Sequence, residues 1–121
     1  MPWEARPPGA FAGQPARALV ALALAHDDAV AAGDKAAQGE IAFDKARALV
    51  ALGRAIEAKV ALAEAATAIP GNSDVWLLSA TLYRRTAKLE IAQQHIEKAA
   101  ALSPLDPAVG LEAGVIAELA G

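Results

Sequence analysis

The chain has 121 residues, 55% of them hydrophobic but only 4% aromatic, with a formal net charge of −3 and no cysteine. That length holds one domain, and the missing cysteine excludes disulfides, thiolate catalysis and zinc–thiolate centres. No basic cluster marks a nucleic-acid partner, no apolar run approaches the ~20 residues of a membrane span, and the abundant alanine favours closely packed helices.

Residues 1–13 carry Pro2, Pro7, Pro8, Gly9 and Gly13 and predict an irregular lead-in, with Trp3 and Phe11 either docked or exposed. A first helix is expected from about Pro15, a residue suited to a first helical position, to Ala32, stopped by Gly33. Its run Ala18–Ala25 follows Arg17 and ends Ala-x-Ala, as the apolar part of an export signal does. The helical pattern continues past that run to Val30, and Glu4 weakens a positive leader. A domain helix is the better reading, and with it a cytoplasmic location; export follows only if residues 1–25 act as a signal.

The second helix is expected from Lys35 or Glu40 to Leu52, with Gly39 breaking or bending its start and Gly53 ending it. The third covers Arg54 to Ala68 and stops at Pro70-Gly71. Ser73 offers an N-cap for a fourth over Asp74 to Thr86, and a fifth covers Lys88 to Leu102 with Pro104 beyond it. Asp106 caps a sixth that has Pro107 in its first turn and runs to the final residue. Short connections make successive helices antiparallel.

Pro70 and Pro104 lie 34 residues apart and close two stretches that match position by position. Residues 73–106 place Trp76, Ser79-Ala80 and Tyr83 on one helix, then Ala92, Ile96, Ala99 and Pro104 on the next. Residues 39–72 place Ala42, Lys45-Ala46 and Leu49, then Ala58, Leu62, Ala65 and Pro70. In this order and period the chain resembles the tetratricopeptide repeat family. Ser79 and Lys45 depart from the family's leucine, and Ala42 from its tryptophan. Residues 107–121 begin a third copy, with Gly114 at the small position and Gly121 at the turn. Residues 14–38 do not continue the period: one step back from Leu62 lands on Asp28. Ala18, Leu22 and Ala25 reproduce the spacing of Ala58, Leu62 and Ala65 once about six extra residues are allowed.

The resemblance implies an all-α fold for residues 14–121: about six helices in antiparallel pairs, stacked as a short right-handed superhelix. Small residues let the helices of a unit approach, and large ones fill the seams between units, because one unit cannot bury its own apolar face. It also implies a non-enzymatic scaffold that binds another protein or peptide on the concave side of the first helices. The residues falling there include Phe43, Arg47, Leu77, Thr81, Arg84, Arg85 and Leu111. Phe43, Leu77 and Leu111 form an apolar row, and the arginines suit an acidic flank. Family members that clamp chaperone C-termini use lysine and asparagine where Phe43 and Arg47 stand, which argues against that role here. The sixth helix lacks a second half to cover it. It either acts as a plain cap or, the preferred reading, joins two chains in a homodimer through Val109, Val115, Ile116 and Leu119.

Other chemistry is sparse. His26, Asp27 and Asp28 are adjacent and point around a helix rather than toward one metal. Ser73, Ser79 and Ser103 have no base beside them in sequence, His95 reads as surface, and Glu57, Glu64, Glu90, Glu97, Glu112 and Glu118 read as an exposed spread. No catalytic, cofactor or metal site follows. The competing readings are a closed helical bundle around a small-molecule pocket and a purely self-assembling module.

Overall fold

The computed structural model describes residues 9–121, with side chains from Gln14 onward. Within them are six helices and no strand: α1 (Gly9–Ala32), α2 (Lys35–Ala51), α3 (Ala55–Ala68), α4 (Ser73–Arg85), α5 (Leu89–Leu102) and α6 (Pro107–Ala120). The helix α1 begins six residues before Pro15, so residues 9–13 of the expected irregular lead-in are helical. Ala10, Ala12 and Ala16 carry helix propensity across Pro15, which leaves only its own backbone donor missing. Residues 1–8, and the side chains of Trp3 and Phe11, lie outside the described part.

Gly39 does not break α2. It is buried inside the helix, and a Cβ there would stand 2.9 Å from the Ala68 Cβ and 3.0 Å from Ile69. The bare backbone at this point lets α2 meet the end of α3. The start of α2 is fixed by Asp34, whose carboxylate accepts from the Ala37 amide at 3.0 Å. The cap of α4 is Asn72, accepting from the Asp74 amide at 2.9 Å. Ser73 is instead the first helical residue and accepts a hydrogen bond from the Ser103 hydroxyl at 2.9 Å, tying the start of α4 to the end of α5. Asp106 and Pro107 begin α6 as the sequence predicts.

The most extensive packing is α2 on α3 and α4 on α5, followed by α1 on α2 and α5 on α6. The turns inside the pairs share one conformation: Gly53 has φ 75° and Ala87, one period later, φ 62°. The core is built on period-related small residues. Ala46 and Ala80, Ala58 and Ala92, and Ala65 and Ala99 are all fully buried. Leu49, Leu62 and Val75 fill a first cluster; Ile96, Val109 and Ile116 fill a second, with Trp76 and Tyr83 packed at its edge. The third small position departs from this pattern. Gly114 is exposed, with nothing within 4 Å of where a Cβ would stand, because no described helix covers that side of α6.

Candidate binding surfaces

The expected groove residues belong to α2, α4 and α6. Phe43 is half-buried against the first cluster and Leu77 against the second, while Leu111 is 74% exposed. Arg47 is exposed, 3.7 Å from Asp44, with its guanidinium 5.7 Å from the Phe43 ring. Arg85 is exposed in the last turn of α4.

Thr81 and Arg84 have an internal task. The Thr81 hydroxyl donates to Glu112 Oε1 at 2.6 Å, and Arg84 donates through Nε to Oε2 and through Nη2 to Oε1. Glu112 is therefore no member of an exposed spread; it is only 7% exposed. The hydrogen bond to Glu112 raises the Arg84 pKa above its ordinary value, so the guanidinium is held fully charged. Glu112 falls one period after Leu78 and two after Asp44, so its register gave no sequence signal for this contact. The network pins α6 to α4 and sets Leu111 beside Leu77's side of the array.

The residues expected to self-associate divide. Val109 and Ile116 are buried in the second cluster, so they hold α6 to its own chain. Val115 is half-buried and Leu119 is exposed. The error has a simple cause: an all-apolar helix does not reveal from sequence which stripe its own chain covers.

Two cavities open away from the groove, at seams between helix pairs. One, about 320 Å³, lies among α1, α2 and α3; the other, about 240 Å³, lies among α3, α4 and α5. The α3 residues of the second, Lys59, Leu62, Ala63, Ala66 and Thr67, each stand 40 residues after an α1 residue of the first, from Leu19 and Leu22 to Asp27. Likewise Trp76, Ser79 and Tyr83 stand one period after Ala42, Lys45 and Leu49. The two seams are built alike and lined differently. The first mixes Lys45 and Arg54 with Asp27, Glu57 and Glu64.

The second seam holds contacts that sequence order hides. Ser79 does have a base beside it: its Oγ and His95 Nδ1 share a hydrogen bond at 2.7 Å. His95 is half-buried rather than on the surface, with its ring edge-on to Trp76 at 5.2 Å and to Tyr83 at 5.4 Å. Burial, then the nearby charge of Lys98, lowers the His95 pKa and keeps the ring neutral. The Trp76 Nε1–H donates to the Pro70 carbonyl at 2.8 Å, which ties α4 to the turn before it. Ser79 in a leucine register was the sequence signal for this polar contact.

Among the described residues no helix is long and apolar enough to cross a membrane, and no three metal-binding side chains cluster. No protein-family profile and no curated protein matches the chain. Among solved structures it is similar to the first TPR of Spaghetti (RPAP3), solved bound to the HSP90 peptide SRMEEVD. That likeness has a TM-score of 0.64 at 15% identity and covers 87% of this chain and 95% of that one. The fold is that of a tetratricopeptide-type helical repeat.

Proposed function

We propose that this short tetratricopeptide-like array is a non-enzymatic scaffold that binds a peptide or helical segment of another protein along α2, α4 and α6. The observation that carries the reading is the row of Phe43, Leu77 and Leu111, repeated at the period, the first two half-buried and Leu111 exposed. Arg47 and Arg85 flank the row and suit acidic residues beside an apolar segment. Arg84 and Thr81 act indirectly, holding α6 in place through Glu112. The solved neighbour with a bound peptide supports a peptide-binding use of the fold. In the same reading α1 serves as the second helix of a degenerate unit, since its cavity-lining residues repeat those of α3.

Fluorescence anisotropy with short apolar peptides carrying glutamate flanks tests this function. Leu111→Asp and Arg85→Glu are each expected to weaken a peptide that binds by tenfold or more, about 1.4 kcal/mol. Equal affinities for both variants and the parent chain overturn it. A second reading, pairing of two copies through α6, draws on the exposed Leu119 and on the open backbone at Gly110 and Gly114. A sedimentation series in which Leu119→Glu leaves the mass unchanged at every concentration removes it.

A further inference from the structure

We propose that the seam cavity among α3, α4 and α5 is a binding site for a small aromatic carboxylate, its ring against Trp76 and Tyr83 and its charge met by Lys59. The cavity lies on the side of α4 away from Leu77, Thr81 and Arg84, so it is separate from the peptide groove. Ser79 stands in it where the family has leucine, and the Ser79–His95 pair forms part of its lining. Of the three aromatic side chains described after Gln14, two line it, and Leu62, Ala63 and Ala66 complete an apolar wall. Its volume of about 240 Å³ is below the ~300 Å³ at which drug-sized pockets begin, so it takes one ring with a short side chain rather than a peptide.

The charge of the ligand follows from the lysines. Lys59 Nζ sits 4.7 Å from the Tyr83 ring centre, and Lys98 Nζ sits 4.4 Å from that of Trp76. Among the described residues neither ammonium has a carboxylate within ion-pair distance. The equivalent seam at α1 differs: Asp27, Glu57 and Glu64 line it, Arg54 is paired with Glu57, and no indole, phenol or phenyl ring lines it. Selection for an anion with an aromatic ring therefore belongs to the second seam alone. The neutral His95, set between the rings and Lys98, reports on occupancy, because an anion bound there favours its protonated form.

An NMR titration of the full chain with phenylacetate, and in parallel with neutral phenylacetamide and with acetate, tests the site. Phenylacetate is expected to shift the Trp76 Nε1 and His95 ring signals saturably and to raise the His95 pKa. The other two probes bind at least tenfold more weakly. The double variant Lys59→Gln, Lys98→Gln is expected to lose tenfold or more in affinity with its helicity unchanged. Ser79→Leu, which fills the space, abolishes the shifts; should it misfold, the surface lysine variant decides. Absent shifts, equal binding of the amide, or an unaffected lysine variant overturns the proposal. So does binding of a phenylalanine-ended acidic peptide without binding of the free acid.

Discussion

The carboxylate of Glu112 on α6 is gripped by the guanidinium of Arg84 on α4, and the pair is all but closed to water on the Glu112 side. Removing one partner strands the other. Glu112→Ala is expected to destabilise the chain by about 1.5–3 kcal/mol, the range for hydrogen bonds to charged groups. The double variant Arg84→Met, Glu112→Leu should recover most of that, since a packed apolar pair replaces a partly buried ionic one at little cost. Urea unfolding of the three variants checks the order.

Ala87 holds a left-handed conformation at φ 62° where the previous unit has Gly53. A side chain in that region costs about 1–2 kcal/mol, while glycine adds freedom to the unfolded chain. Ala87→Gly is therefore expected to stabilise by about 0.5–1 kcal/mol, and Gly53→Ala to destabilise by about 1 kcal/mol. Thermal melts in which Ala87→Gly lowers the midpoint contradict the strain argument.

Gly39 lies mid-helix, where alanine ordinarily gains about 1 kcal/mol. Here the added methyl meets Ala68 and Ile69 at 2.9–3.0 Å, so overpacking wins. Gly39→Ala is expected to destabilise by about 1–2 kcal/mol net. Gly39→Ala with Ile69→Ala should cost less than the two single changes summed, because both Cγ atoms that the new methyl meets at Ile69 are removed.

His95 gives a pH dependence of defined sign. Its folded pKa is held below the ordinary 6.5, so at acid pH the unfolded chain binds more protons than the native one. The contribution is fully present above about pH 6.5 and is lost as the pH falls below it. His95→Gln, which can still bond Ser79, is expected to flatten the melting temperature between pH 7 and 5 relative to the parent. Parallel curves for the two proteins would falsify it.

Six helices, their pairing and the alanine core could be read in advance because each depends on local spacing: Ala46, Ala80, Ala58 and Ala92 sit one period apart and are all fully buried. The caps were read less well. Asn72 and Ser73 are adjacent cap formers, and only the backbone entry angle selects Asn72. Gly39 was legible as unusual but misread, because close approach to Ala68 is a tertiary fact with no local trace. The work of Arg84 was hidden, since its partner lies 28 residues away on another helix. The pairing of Ser79 with His95 was hidden for the same reason.

The repetition of the seam cavity bears on how this chain can bend. A row shared by α2, α4 and α6 answers to the whole array at once, whereas each seam is bounded by one junction between neighbouring pairs. Whatever fills a seam acts as a wedge at a single joint and sets the angle between the pairs on either side. On the function proposed above, the spacing of Phe43 from Leu77 would then come under local control at the seam, and a molecule the size of one ring would alter the curvature offered to a longer partner.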